Sequence, residues 1–336
     1  MMKILITGTA GFIGFHLANL LLKEGFQVSG YDGLTSYYDV NLKKKRNDIL
    51  FQNSKYSFTH GMLQDFNKID KLFNDFQPEI VIHLAAQAGV RFSIEDPRSY
   101  IDSNIVGTFN VMEMAKKYNV KHLLIASTSS VYGANTDMPF RENSKSDTQL
   151  TMYAATKKAS ESMAHSYAHL WKIPTTIFRF FTVYGPWGRP DMALFKFVAA
   201  ILEERPIDIY NQGEMYRDFT YVEDLVLAIK RLIDVPPVFI EKDKIKSSDS
   251  LSPVAPFRIV NIGNSKKIKL LDFIEVIEKI LKKKAIRNYM PIQKGDVLET
   301  WANTSLLEEL IGIRSKTDFQ DGILFFIKWY REYYKI

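Results

Sequence analysis

The chain is predicted to fold as a doubly wound, parallel α/β sheet joined to a smaller, mostly C-terminal α/β unit. Three observations predict this. The first 180 residues alternate short β-branched runs with longer amphipathic segments. After Gly185 that alternation gives way to irregular chain rich in Pro and Gly, through Pro186, Gly188, Pro190, Pro206 and Gly213. At 336 residues the chain is also too long for one minimal domain. Strand–helix alternation implies parallel strands linked by crossover helices. The larger unit is expected to take residues 1–180 plus about 215–262, and the smaller about 181–214 plus 263–336.

In chain order, Lys3 to Thr7, Gln27 to Tyr31, Ile80 to Leu84, His122 to Ser127 and Thr175 to Phe180 read as buried strands. Between them Gly14 to Glu24, Phe66 to Phe76, Tyr100 to Tyr118 and Tyr153 to Trp171 read as helices. Val222 to Ile233 reads as a further helix and Phe257 to Ile262 as a further strand. They are separated by a Lys- and Ser-rich stretch, Pro236 to Pro256, expected to be an exposed excursion. Helices at Leu270 to Leu281, Leu306 to Ile311 and Gln320 to Tyr333 complete the chain, whose Phe325, Phe326, Trp329 and Tyr330 have the helical spacing of a core face.

Apolar residues at 46% and charged residues at 24% describe an ordinary globular protein. There is no cysteine, which excludes disulfides, thiolate metal ligands and thiol nucleophiles and suits a reducing cytoplasm. The passage from Met1-Met2-Lys3 straight into Ile4-Leu5-Ile6 leaves no room for a signal peptide, and no apolar run approaches the ~20 residues that span a bilayer. A net charge of +6 spread over scattered lysines reads as a solvated face rather than a nucleic-acid footprint. A partly basic cleft would also suit a small anionic substrate.

The first strand runs into Gly8-Thr9-Ala10-Gly11-Phe12-Ile13-Gly14 and then a helix. Gly8 permits a tight turn, Gly11 lets the backbone approach a pyrophosphate, and Gly14 lets the helix pack on the strand. The helix N-terminus offers free N–H groups to phosphates. The second strand ends at Asp32, 18 residues after Gly14, where an acid can bond the adenosine ribose and repel a 2′-phosphate. This is the signature of a dinucleotide-binding (Rossmann) sheet, with NAD favoured over NADP.

Tyr153-Ala-Ala-Thr-Lys157 places a phenol and an ammonium on one helical face. A phenol near pKa 10 is a poor base, but a nearby cation stabilises its phenolate. Tyr153 is expected to take a proton from a sugar hydroxyl as hydride leaves the same carbon, with Lys157 lowering its pKa and holding the nicotinamide ribose. Ser127-Thr128-Ser129-Ser130-Val131-Tyr132-Gly133 adds a hydroxyl cluster just past a strand, where ligands bind in open α/β sheets.

The glycine spacing, the Tyr/Lys pair and the hydroxyl cluster, in this order, resemble the extended short-chain dehydrogenases/reductases. Leu84-Ala85-Ala86-Gln87 resembles that family's second cofactor segment, and Thr128 takes the place of its third catalytic member. Two positions depart from the family: Gly33 stands where Asn often follows the acid, and Met62 where Asp often follows Gly61. Adenine contacts would then fall to other groups, Asp65 among them. Over nearly its whole length the chain is most similar to UDP-glucuronate 4-epimerases, through Leu84 to Arg91, Ser130 to Asn135, Phe180 to Phe195 and Arg217 to Asp224. The resemblance implies a UDP-sugar substrate, with Arg189 and Arg217 toward the diphosphate, Asp296 toward the uridine ribose, Met192 to Phe195 beside the uracil, and Arg91 in the substrate site. It also implies a homodimer, built on the helices at Tyr100 to Tyr118 and Tyr153 to Trp171, and a place in polysaccharide precursor supply.

The expected reaction is C4 epimerisation of UDP-glucuronate to UDP-galacturonate through a transient 4-keto sugar. Ser129 and Ser130 stand where related 4,6-dehydratases carry Asp-Glu, which argues against dehydration. Epimerisation of UDP-glucose or its N-acetyl relatives stays open, although those enzymes usually carry Asn in place of Thr182. Decarboxylation of UDP-glucuronate also stays open, since a 4-keto uronate is a β-keto acid that loses CO₂ readily. Ser129, Ser130 and Thr182 can prevent this by holding the carboxylate with hydroxyls. A non-enzymatic NAD-binding regulator is the opposite reading and predicts a degraded Tyr/Lys pair. His165 and His169, four apart on one helix, lack a third ligand, so no metal site is expected and packing roles are favoured.

Overall fold

The computed structural model describes residues 2–336. Its main sheet has seven strands, all parallel: β1 (Lys3–Thr7), β2 (Gln27–Asp32), β3 (Tyr56–His60), β4 (Ile80–His83), β5 (His122–Thr128), β6 (Thr175–Phe180) and, after three short strands, β10 (Phe257–Ile262). Their spatial order is β10-β6-β5-β4-β1-β2-β3, which reverses direction between β1 and β4. The crevice beyond the carboxyl ends of those two strands is where such sheets bind ligands. β4, β5 and β6 are buried along their whole length, the polar His83, His122, Ser127, Thr128, Thr175, Thr176 and Arg179 included, so burial does not alternate along them.

Side chains still alternate between two cores. Ile4, Ile6, Leu124, Ala126, Phe178 and Phe180 face α1 (Phe12–Lys23). Leu5, Leu123, Ile125 and Ile177 face the opposite layer. α2 (Val40–Leu50) follows β2, and α3 (Phe66–Phe76) packs in the second layer. There the helix predicted at Tyr100 to Tyr118 is a wide-pitched stretch, Ile101–Val106, running into α6 (Gly107–Lys117), and it is preceded by two short turns, α4 (Phe92–Glu95) and α5 (Pro97–Tyr100). α7 (Met152–Trp171) is a single helix of 20 residues, started by the Thr151 hydroxyl, which accepts from the Ala154 N–H.

The remaining chain forms a second body. β7 (Thr182–Tyr184), β11 (Lys267–Lys269) and β13 (Glu299–Thr300) all pair with β9 (Tyr216–Tyr221), while β8 (Ile207–Tyr210) pairs with β12 (Arg287–Met290). α8 (Ala193–Leu202), α10 (Leu270–Leu281) and α12 (Phe319–Tyr334) enclose an aromatic core with Phe195, Phe219, Phe273, Phe326 and Trp329. α9 (Val222–Ile233) returns to the main sheet beside α1, followed by α11 (Ser305–Ile311).

Several elements differ from the sequence reading. α2, β3, α4, α5, α8 and the strands β7, β8, β9, β11, β12 and β13 were not expected, and α2 has a physical reason: its buried positions are Leu42, Lys43, Arg46, Asn47 and Leu50, so no apolar stripe marks it. The Pro236 to Pro256 stretch is irregular apart from a turn at Lys242–Lys244, and is pinned at its far end. His165 Nε2 meets the Ser252 hydroxyl at 2.9 Å and His169 Nδ1 donates to the Val254 carbonyl at 2.8 Å. The two histidines thus hold this stretch against α7. Among the described residues no helix is long and apolar enough to cross a membrane.

Candidate functional site

A cleft of about 1090 Å³ runs along the carboxyl ends of the sheet strands and between the two bodies. Gly8, Gly11, Phe12, Ile13, Gly14, Asp32, Leu84 to Gln87, Arg91, Thr128 to Ser130, Tyr153, Lys157, Thr182, Arg189, Met192, Phe195, Arg217 and Asp296 all line it. The structure thus brings these candidate residues to one place, and leaves out Asp65.

The glycine loop forms its floor. Gly8 has φ +85°, and a Cβ there would sit 2.8 Å from the Ala85 nitrogen, so the turn and the approach of the β4 segment both require glycine. A Cβ on Gly14 would come within 2.0 Å of the Gly8 carbonyl oxygen. No side chain caps α1, whose first N–H groups open into the cleft. The Asp32 carboxylate accepts from the Ala10 and Leu34 N–H groups at 3.1 and 2.8 Å. Burial pushes its carboxyl up, while these bonds and the Lys43 and Arg46 charges oppose that shift.

The adenine end departs from expectation at Asp65, whose carboxylate starts α3 by accepting from the Lys68 N–H at 3.0 Å. Met62 instead fills the place: a Cβ on Gly33 would lie 2.5 Å from its sulfur. The two departures in the sequence are therefore one packing solution, a thioether resting where a larger neighbour is absent.

The Leu84–Gln87 wall is fixed by residues that sequence reasoning missed. The Thr7 hydroxyl accepts from the Ala85 N–H at 3.1 Å, and Asn104 pairs with the Gln87 backbone at 2.8 and 3.0 Å. Asn104 lies in the wide-pitched stretch, a helical irregularity common at functional sites. No spacing in the sequence announces it.

At the far side, Tyr153 lies one turn before Lys157 on α7 and faces the Thr128 hydroxyl. Burial pushes the Tyr153 phenol up; the Thr128 hydrogen bond and the Arg189 charge pull it down. The expectation that Lys157 lowers this pKa is not met in this structure. Burial takes the Lys157 ammonium down to about 8 against the pull of the Glu161 carboxylate. Glu161 is buried and held by the Ser127 hydroxyl at 2.6 Å and by a two-point bond from Arg179 at 2.9 and 2.8 Å. This pair sits directly under the strand that carries Thr128. The Thr128 oxygen accepts from the Ser130 N–H at 3.2 Å, which sets Ser129 and Ser130 on a tight turn facing the cleft.

The outer residues pair with one another. Arg189 donates Nε to Asp191 at 3.0 Å, and the Tyr37 hydroxyl donates to the same carboxylate at 3.1 Å. Arg91 meets Asp296 at 3.1 Å and lies over the Tyr210 ring at 4.6 Å. Arg217 donates to the Tyr216, Val297 and Leu298 carbonyls at 2.8, 2.8 and 3.1 Å. Phe195 borders the cleft with one edge, but its ring packs on Phe326, Trp329 and Tyr330.

A floor that excludes a Cβ at Gly8 and Gly14, a carboxylate at the end of β2 and a buried ammonium fit a nicotinamide dinucleotide, and relatives of known sequence and structure agree. A protein named probable UDP-glucuronate 4-epimerase, from Rhizobium meliloti (strain 1021), is 52% identical, the alignment covering 99% of this chain and 98% of that protein. UDP-glucuronate 4-epimerase 2 of Arabidopsis thaliana is 41% identical, covering 99% of this chain and 76% of that protein. The structure of UDP-glucuronic acid 4-epimerase from Bacillus cereus in complex with UDP-glucuronic acid and NAD matches with a TM-score of 0.88 at 32% identity, covering 99% of this chain and 100% of that one. Residues 4–241 match the NAD dependent epimerase/dehydratase family, and the chain belongs to it.

Proposed function

We propose that the protein epimerises UDP-glucuronate at C4, giving UDP-galacturonate through a transient 4-keto sugar, with NAD as cofactor. The observation that carries this reading is that Tyr153 and Thr128 line one cleft with the glycine loop and the Ser129, Ser130 and Thr182 hydroxyls. Bound NAD supplies the chemistry of taking a hydride from C4 and giving it back. Gly8 to Gly14 would hold its pyrophosphate, Asp32 the adenosine ribose and Lys157 the nicotinamide ribose.

Tyr153 accepts the proton of the C4 hydroxyl and returns it at the end. Its raised pKa means that a positive neighbour must favour the phenolate, and Arg189 is the cation that already acts on it. Thr128 donates a hydrogen bond that holds the sugar oxygen against Tyr153. Ser129, Ser130 and Thr182 accommodate the substrate carboxylate with neutral donors, turning the C5–C6 bond away from the carbonyl π system so that CO₂ is retained. Arg189 and Arg217 bind the diphosphate, and Arg91, Met192, Phe195 and Asp296 close on the nucleoside.

The same reading assigns residues 1–180 plus about 215–262 to the cofactor and the remainder to the nucleotide sugar. It takes the protein as a cytoplasmic homodimer serving polysaccharide precursor supply. Val106 and Phe109 beside and on α6, and Leu170 and Trp171 at the end of α7, are exposed apolar residues that suit a dimer face. Light scattering tests that assembly.

For the activity, purified protein is incubated with UDP-glucuronate and NAD, and the nucleotide sugars are resolved by chromatography with mass detection. A new isobaric product, absent with Tyr153→Phe, is expected. A product lighter by CO₂ would make the enzyme a decarboxylase. Turnover of UDP-glucose alone would move the assignment to a neutral-sugar epimerase.

A further inference from the structure

Three consecutive carbonyls, of Pro186, Trp187 and Gly188, turn away from the cleft toward the dinucleotide-binding body. His16 on α1 donates Nε2–H to the Pro186 oxygen at 2.8 Å. Arg46 on α2 donates Nη2 to the Trp187 and Gly188 oxygens at 2.6 and 3.3 Å. With its other terminal nitrogen Arg46 donates to the Ala10 oxygen at 2.9 Å and the Tyr38 hydroxyl at 2.8 Å. Ala10 is the middle of the glycine loop, and Gly188 is the residue before Arg189. One planar guanidinium therefore spans the floor that receives the dinucleotide and the loop that carries the substrate arginine.

The chemistry of this side chain asks for an explanation. Arg46 is fully buried, yet each of its hydrogen-bond acceptors is a neutral oxygen and its Nε has no partner among the described residues; the carboxylate on which its charge acts, Asp32, accepts from the Ala10 and Leu34 N–H groups and not from the guanidinium. A buried cation is normally retained beside a carboxylate, because its desolvation is otherwise uncompensated. Neutral donors could cap the same carbonyls more cheaply. What a cation adds is a fixed positive charge directly behind the loop whose open side takes a pyrophosphate.

We propose that Arg46 is a positioning residue that couples the two ligand sites: its fork locks the glycine loop to the Pro186–Gly188 loop, and its charge is answered by the dinucleotide's pyrophosphate. Dinucleotide binding then fixes the fork and presents Arg189 to the nucleotide sugar. By reciprocity, nucleotide-sugar binding tightens the dinucleotide by the same factor. This rests on the reading of the cleft as a joint dinucleotide and UDP-sugar site, and not on which sugar is turned over.

The test titrates the full-length protein with NAD by calorimetry, at zero and at saturating UDP. Wild type is expected to bind NAD about fivefold or more tightly with UDP present, the lower end of ordinary coupling. Arg46→Lys keeps the charge but cannot reach four acceptors in one plane. It is expected to retain most of the NAD affinity measured without UDP and to bring the coupling factor to about one. Arg46→Met is expected to lose about tenfold or more in NAD affinity as well. A residue that merely glued the bodies would lower the melting temperature and leave the coupling factor unchanged. If Arg46→Met fails to fold, Arg46→Lys alone decides. Unchanged coupling in Arg46→Lys, or no coupling in wild type that binds both ligands, overturns the proposal; wild type that binds neither overturns the reading of the cleft itself.

Discussion

Arg179→Met is expected to be the most damaging substitution outside the cleft. Arg179 and Glu161 are 1% and 3% exposed, and the change leaves the Glu161 carboxylate buried with only the Ser127 hydroxyl and Lys158 as partners. It also removes the bond from Arg179 to the Glu142 carbonyl at 3.0 Å and the guanidinium over the Tyr132 ring at 4.8 Å. Breaking one side of a buried pair costs about 3–5 kcal/mol. A chain of 336 residues unfolds with an entropy of about 0.7 kcal/mol/K, at about 2.1 cal/mol/K per residue. The melting temperature should therefore fall by about 4–7 °C in a calorimetric scan at pH 7. The Arg179→Met/Glu161→Leu double variant should recover part of the loss, because no charge is then left alone. The pH dependence has a definite sign. Arg179 helps hold the Glu161 carboxyl below its ordinary value, so its contribution is present above about pH 4.5 and is lost as the pH falls through the folded pKa. The gap between wild type and variant should thus close in acid. A shift of less than about 1 °C at pH 7, or a gap that widens in acid, would refute the argument.

Lys157→Met should abolish turnover yet melt at or above the wild-type temperature at pH 7. The folded pKa of Lys157, about 8, lies below its ordinary value, so the folded state is penalised wherever the group is charged, and wild type should gain stability as the pH rises from 8 toward 10. A lower melting temperature for the variant contradicts this. Gly14→Ala should weaken NAD binding about tenfold or more, since the added carbon meets the Gly8 carbonyl oxygen at 2.0 Å and must displace the loop; unchanged affinity in a titration removes that argument. Thr182→Val should raise the ratio of decarboxylated to epimerised product from UDP-glucuronate, read by mass. An unchanged ratio takes Thr182 out of the carboxylate clamp.

The parts of the molecule legible in the sequence were those written in local pattern. The glycine loop, the strand ending at Asp32 and the Tyr153/Lys157 helix each occupy one short window, and short apolar runs, Ile80 to Ile82 in β4 and Leu123 to Ala126 in β5, mark buried strands. What stayed hidden depends on partners far along the chain. α2 buries Lys43, Arg46 and Asn47 because Lys43 and Arg46 find acceptors on Thr35, the glycine loop and Trp187 while Asn47 accepts from the Tyr56 hydroxyl, and no periodicity reports that. Arg91 and Asp296 were recognisable singly, but their pairing spans 205 positions. The charge that acts on Tyr153 is of the same kind: helical spacing put Lys157 on its face, whereas Arg189 comes from 36 positions further along the chain.

α2 also bears on how the molecule comes apart. Leu42, near its start, is buried in the aromatic core of the second body, whereas Leu50, at its end, is buried in the core against the main sheet. Eleven residues of helix thus hold membership in two cores, and neither core is complete without them. Cutting the chain near residue 180 would strand Leu42 without its neighbours and bare an apolar seam. The two bodies, though distinct in topology, should therefore melt as one cooperative unit in a calorimetric scan, and a truncated N-terminal half should fail to fold alone.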